Sequence, residues 1–253
     1  MNWNGMAAIY RFEMARATRT LWQSLVTPVI TTALYFVVFG AAIGRHMADM
    51  DGVSFGSFIV PGLTLLSVFM QSIFNASFGI YFPKFVGTIY ELLSAPISSL
   101  ETVLAYVGAA VSKSMVLALV TLATATLFVD VRLDHPLMML FFLVAICTAF
   151  CLMGFVIGIW AGNFEQLQII PMLVITPLTF LGGAFYSINA LPEPWRTITL
   201  FNPVVHLISG FRWSFYTVTD VPVWSSVAVM LAIIALCMGV IAWMFKTGYR
   251  LKQ

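Results

Sequence analysis

Charge is what this chain has least of. Only 9% of its 253 residues are Asp, Glu, Lys or Arg, where soluble domains carry about a quarter. So few charges do not make a water-facing surface, and a net charge of +2 leaves no basis for a nucleic-acid partner. Cysteine is scarce as well. Cys147, Cys151 and Cys237 fall in apolar sequence with no histidine nearby, which argues against a disulfide framework or a zinc site. His46, His135 and His206 sit in different segments, so the convergent polar set of a membrane-embedded enzyme is missing. No glycine-rich phosphate loop ending in Gly-Lys-Ser or Gly-Lys-Thr occurs, and no polar stretch is long enough for a nucleotide-binding domain. If ATP drives this protein, another polypeptide binds it.

What the chain does have is apolar length. Hydrophobic residues make up 61% of it and its mean hydropathy is +0.98, the composition of an all-α membrane protein that crosses the bilayer repeatedly. At roughly 20 residues per span the pattern predicts about six transmembrane helices in one domain, residues 1–253. The spans are expected near Leu25–Ile43, Phe55–Phe82, Thr102–Val129, Leu137–Trp160, Ile169–Tyr186 and Val223–Phe245. Ahead of them, residues 1–21 read as an amphipathic interfacial helix, with Trp3, Met6, Ile9, Tyr10 and Met14 on one side and Arg11, Arg16 and Arg19 on another. With six spans both termini share a side. Arg11, Arg16, Arg19, Lys84, Lys246, Arg250 and Lys252 fall on that side, against Arg45, Arg132, Arg196 and Arg212 opposite, which predicts cytoplasmic termini.

Between Thr176 and Trp213 an apolar helix stops at Gly182 and Gly183, breaks into a proline-rich loop and resumes as hydrophobic sequence. Non-helical backbone close to membrane depth persists only where protein or a wet cavity satisfies its N–H and C=O groups. The region 187–221 is therefore expected to be broken chain covered by protein or water.

Polar groups inside the spans are few. All ten acidic residues fall in termini or connecting segments, so the carboxylate relay of a proton-coupled carrier is not expected. Lys113 is the one ionisable residue placed inside a span, and either it snorkels to the cytoplasmic face or it has a task there. Thr64, Ser67, Gln71 and Asn75 share one helical face and either bond to another helix or face a translocation path. Thr27, Thr31 and Tyr35 form a weaker stripe. Pro28, Pro61, Pro171 and Pro177 are expected to bend three helices. Gly154, Gly158 and Gly162, four residues apart, invite close approach of another backbone. The loop DVRLDH reads as a solvated turn.

These residues resemble the ABC-2 type permeases, the membrane subunits of bacterial ATP-binding-cassette exporters. The likeness is most specific at Pro177, Leu178, Thr179, Phe180, Gly183, Phe185, Tyr186, Leu191, Pro192, Asn202, Pro203, His206 and Arg212, with further matches in FIVPGLTLLSV and YELLSAPIS. The resemblance implies a subunit that pairs with a second copy of itself and with two copies of an ABC ATPase, surrounded by membrane lipid, in the bacterial inner membrane. ATP and Mg would be bound by the ATPase, and this chain would hold no cofactor. It also implies a cytoplasmic coupling helix at 84–98, with Glu91, Leu92, Leu93, Ala95 and Pro96 as ATPase contacts, and an outer re-entrant region carrying Gly182, Gly183, Pro192, Asn202, Pro203, His206 and Arg212. Gln71, Asn75, Thr176 and Thr179 are the expected substrate contacts for an amphipathic, lipid-linked, saccharide or drug-like cargo. The rival reading is a self-sufficient channel or secondary carrier.

Overall fold

A computed structural model describes residues 2–19, 21–44, 47, 49–50 and 52–251. Arg45 and Lys252, used in the charge pattern above, and His46 lie outside them. Helices α1 (Trp3–Arg19) and α2 (Leu21–Tyr35) are followed by a π-helical turn at Phe36–Ile43, then by α3 (Phe55–Phe58), α4 (Val60–Phe85), α5 (Ile89–Ser94), α6 (Ser99–Ala125) and α7 (Pro136–Trp160). The second half contains α8 (Gln166–Ile170), a π segment at Pro171–Ile175, α9 (Thr176–Leu181), α10 (Trp195–Leu200), α11 (Pro203–Tyr216) and α12 (Val223–Thr247). Among the described residues there is no strand.

Among the described residues, four helices are long and apolar enough to cross a membrane: Phe55–Phe85, Ser99–Ala125, Pro136–Trp160 and Val223–Thr247. A fifth is counted if Trp3–Arg19 and Ser24–Gly40, bent by 60° to each other, act as one. Six were expected. The span expected over 169–186 is an apolar helix, Gln166–Leu181, about 24 Å long at 1.5 Å per residue and thus shorter than a hydrocarbon core of roughly 30 Å. Its π segment begins at Pro171, whose missing N–H disrupts the regular ladder. Pro61 bends nothing, because it occupies the first turn of α4, where that N–H is not needed.

α4 is the central helix, packed on α6 and α7. The close approach to α7 is a matter of glycine. A Cβ on Gly154 would lie 2.4 Å from the Ile73 carbonyl oxygen, and one on Gly158 would lie 2.4 Å from that of Ser77. The third glycine of that series, Gly162, lies beyond the helix and meets only Gln166 Oε1 at 3.7 Å. Above the glycine seam, Phe69 stacks on Phe150 with ring centroids 4.1 Å apart. Shape, not hydrophobic contrast with lipid, holds such a pair together.

The expected apolar side of α1 is divided, with Met6, Ile9 and Met14 half-buried and Trp3 exposed. Its contacts with α6 include Ile9, Tyr10 and Glu13, and Asn2 just before it also reaches that helix. The Asn2 backbone N–H donates to Glu101 Oε1 at 2.6 Å, Ile9 packs on a buried cluster that includes Val103 and Tyr106, and Tyr10 Oη lies 2.9 Å from Ser112 Oγ. Trp3 and Phe12 face outward, 67% and 65% exposed.

Candidate functional site

Three constructions stand out, at one end of the bundle, at mid-depth and at the other end. The first is the segment 84–98. Gly87, at φ +82°, turns the chain out of α4, a backbone conformation that glycine adopts without strain. A capping box starts α6: Ser98 Oγ accepts from the Glu101 N–H at 3.3 Å and Glu101 Oε2 accepts from the Ser98 N–H at 2.8 Å. The six residues of α5 are held between these two fixed ends. Ile89 is buried and Leu92 packs against the same cluster, while Tyr90, Glu91, Leu93 and Pro96 are exposed. Asn2 Nδ2 donates to the Pro96 carbonyl at 3.2 Å, so the start of α1 lies against this segment.

The same end gathers the last turn of α7. Lys84 Nζ donates to the Ile159 and Ala161 carbonyls, both at 2.9 Å, and Arg250 donates to the Trp160 carbonyl at 2.5 Å. Two cations thereby satisfy carbonyls that the helix leaves without partners, where the helix dipole also favours positive charge. Phe164, in the loop before α8, packs edge-on against Tyr81 and Phe85. The start of α1 and the end of α12 therefore both lie at the end that carries α5.

At mid-depth, a cavity of about 540 Å³ lies between α1, α2, α4 and α6, within the range of ligand pockets. Its polar lining includes Gln71, Asn75, Arg16, Lys113, Ser24 and Thr27. Gln71 Nε2 donates to Asn75 Oδ1 at 3.4 Å. Just behind Lys113 and Arg16 sits Glu13, whose Oε2 accepts from Lys113 Nζ at 3.1 Å and from Arg16 at 2.7 Å. The Glu13 side chain is 3% exposed. Two expectations are corrected here. Lys113 does not snorkel to the end of its helix, because a counter-ion meets it where it stands. Glu13 is not a solvent-facing charge of the terminus, because α1 carries it alongside α6 into the interior.

The other end is braced around Arg212, which is completely buried. Its guanidinium donates to Asp220 Oδ2 at 3.1 Å and to the Gly183 carbonyl at 2.5 Å, and it lies over the Phe58 ring at 3.8 Å. Asp220 Oδ1 accepts from Ser187 Oγ at 2.7 Å and from the Ile188 N–H at 3.1 Å. Asn202 caps α11 by accepting from the Val204 N–H at 3.0 Å, and its amide donates to the Leu178 carbonyl at 2.6 Å. Gly183, at φ +77°, makes the reversal. The broken backbone after α9 is thus satisfied by side chains from α11 and the loop following it, which is what non-helical chain in an apolar setting needs.

Of the residues singled out in this region, Gly182, Gly183, Asn202, Pro203 and Arg212 belong to this brace or adjoin it. His206 bonds to Ser225 Oγ and the Leu200 carbonyl at 3.1 and 3.2 Å, while Pro192 lies in the loop before α10. The turn DVRLDH is also tied to it: His135 stacks on Trp213 at 4.5 Å, its N–H donates to the Ser214 carbonyl at 2.9 Å, and Asp134 accepts from Thr217 at 3.1 Å. The turn is docked at its Asp134–His135 end, while Asp130, Arg132 and Leu133 remain exposed, as expected of a solvated turn.

Gln71 and Asn75 line the mid-depth cavity together. Thr176 and Thr179 do not join them. Thr176 Oγ1 lies 3.5 Å from Met70 Sδ, and buried Thr179 donates to the Ile175 carbonyl at 2.7 Å. Sequence reasoning missed Glu13 and Arg16 as partners of that cavity. The available signal was Lys113 itself, since a lysine within a span calls for a counter-ion and the neighbouring N-terminal helix offers one acid.

Comparison with known proteins accords with this architecture. Residues 5–216 match the ABC-2 type transporter family. The chain is 36% identical over 232 residues, 92% of its length and 91% of the relative's, to the inner membrane transport permease YadH of Escherichia coli strain K12. It is 24% identical over 217 residues, 84% of its length and 81% of the relative's, to Nodulation protein J of Rhizobium leguminosarum bv. viciae. Nodulation protein J of Rhizobium meliloti strain 1021 gives 24% over 216 residues. With a family match running over most of its length, and with long apolar helices joined as described above, this chain belongs to the ABC-2 type transporter family of membrane transport permeases.

Proposed function

We propose that the chain is the permease subunit of an ATP-binding-cassette exporter in the bacterial inner membrane, with cytoplasmic termini, working as a dimer with two ATPase subunits that bind ATP and Mg. The family generally works with an ATPase partner. The observation that carries the reading for this chain is α5, a short helix with one face packed on the bundle and Glu91, Leu93 and Pro96 presented outward. A rigidly held helix between two long ones converts movement of a docked partner into movement of α4 and α6. Nucleotide-driven closure of the ATPases would then bias the membrane dimer between inward and outward access, and the Arg212 brace would close the outer side. The cargo is an amphipathic, lipid-linked, saccharide or drug-like molecule that passes Gln71 and Asn75.

A second reading, a self-sufficient channel or carrier, has one observation in its favour: the Glu13–Lys113–Arg16 cluster, which places ionisable groups deep in the bundle. Mild detergent purification from the native membrane separates the two. The exporter reading expects a stoichiometric, vanadate-sensitive ATPase to accompany the chain, and Glu91→Arg to reduce its recovery while membrane insertion is unchanged. Recovery of the chain alone after crosslinking would overturn it.

A further inference from the structure

The mid-depth cavity has a chemical character that the family match does not specify. Its charged lining among the described residues is Arg16 and Lys113, and both contact a single carboxylate, Glu13. The wall is deep: Lys113 lies 14 residues into α6, which begins at Ser99, or about 21 Å along its axis. Two cationic side chains lining a cavity at that depth favour an anionic ligand. The remaining lining divides cleanly. Gln71, Asn75, Ser24 and Thr27 offer amide and hydroxyl groups, while Leu25, Phe74, Phe78, Val116 and Leu117 offer apolar surface.

We propose that this cavity binds an anionic amphiphile, with a phosphate, sulfate or carboxylate headgroup against Lys113 and Arg16 and a hydrocarbon portion along Phe74, Phe78 and Val116. Lys113 is suited to the headgroup because its ammonium has three donors, of which Glu13 takes one. Gln71 and Asn75 donate to the headgroup's remaining oxygens. A strong anion such as a sulfate keeps its charge in this setting, and the Glu13 carboxylate behind the cations limits attraction for polyanions, so a single negative charge fits best. The ligand is either cargo or an inner-leaflet lipid. This deepens the transport reading by naming a substrate class and rests on it only for the site's role.

The test uses the full chain in digitonin, a neutral sterol-based detergent, with thermal unfolding followed by intrinsic fluorescence. The probes are dodecyl phosphate, dodecyl maltoside as the neutral molecule of equal tail length, dodecyltrimethylammonium, and inorganic phosphate. Dodecyl phosphate is expected to raise the midpoint saturably, where the other three do not. Lys113→Gln should weaken that response about ten-fold, the scale of one lost charged hydrogen bond. Asn75→Asp leaves the Glu13–Lys113 contact in place but adds a carboxylate to the lining, so it should weaken dodecyl phosphate and favour the cationic probe. Equal responses to the anionic and neutral probes, a response to inorganic phosphate matching that to dodecyl phosphate, or an Asn75→Asp protein that responds like the parent would each overturn the proposal. None of these readings depends on an ATPase, so failure here is distinct from failure of the exporter reading. If the site holds, co-extracted anionic phospholipid displaced by dodecyl phosphate and identified by mass marks a lipid source, and its absence marks cargo.

Discussion

Replacing Arg212 with methionine keeps most of the side chain's bulk and removes its charge. The cost follows from the geometry. Removing one partner of a buried ion pair costs about 3–5 kcal/mol because the other charge is left without compensation. Here Asp220 keeps its bonds from Ser187 Oγ and the Ile188 N–H, which places the expected loss near the lower end, about 3 kcal/mol. The Gly183 carbonyl loses its guanidinium donor as well. At roughly 2–4 °C per kcal/mol for a chain of this size, the melting midpoint should fall by about 6–12 °C. Heating detergent-solubilised protein and measuring the monodisperse fraction by size exclusion reads this directly. Asp220→Asn should cost a comparable amount, and the double variant should cost less than the sum by about 1–3 kcal/mol, the coupling of groups in direct contact. An Arg212→Met protein melting within 2 °C of the parent, or strictly additive single variants, would refute the claim that this pair holds the broken region together.

Three further outcomes are expected. Gly154→Val places its Cβ against backbone that has no rotamer with which to yield, so it should separate α4 from α7 and cost at least the 1–3 kcal/mol of an overpacked core, whereas Gly162→Val should be close to neutral in the same melting assay. Glu13→Leu leaves Lys113 and Arg16 as neighbouring like charges and should lower the yield of folded protein in the membrane fraction, with Glu13→Leu/Lys113→Met restoring part of it; equal yields of the single and double variants would count against the pair. Lys84→Met removes two bonds to the end of α7 and should lower thermal stability by about 1–2 kcal/mol, measured with Lys246→Met as the exposed control.

How far the sequence could be read depended on whether a feature was local. The apolar runs of α4, α6, α7 and α12 were legible because each meets the length and composition demanded of a span within its own residues. The break at Gly182 and Gly183 was legible for the same reason. The fifth expected span takes the form of the shorter apolar helix Gln166–Leu181, because hydropathy records apolar length and not the turn to π geometry that starts at Pro171. Partners lying far apart in sequence were the main failure. Asp220, the counter-charge of Arg212, reads as one more loop acid, and Glu13 reads as part of an interfacial helix. Neither position carries a pattern of its own that announces a partner, and only the fold brings each acid to its cation. The charge count used for orientation was affected too, since Arg16 and Arg212 are not loop charges.

The placement of α1 bears on how the protein is made. This helix leaves the ribosome before α6, yet the residues that receive it are Glu101, Ser112 and Lys113 of that later helix. At about 5–20 residues synthesised per second, several seconds or more separate the emergence of Glu13 from that of its counter-ion. During that interval the N-terminal segment has no interior to enter, and its arginines belong at the water-facing boundary of the bilayer. α1 is thus made before α6 but docks only after it, and its docking depends on α6 having been inserted in the right direction. A chain in which α6 is inverted would carry Glu101 and Pro96, which receive the start of α1, to the other side of the membrane, an error that quality-control proteases could recognise by the undocked N-terminal segment.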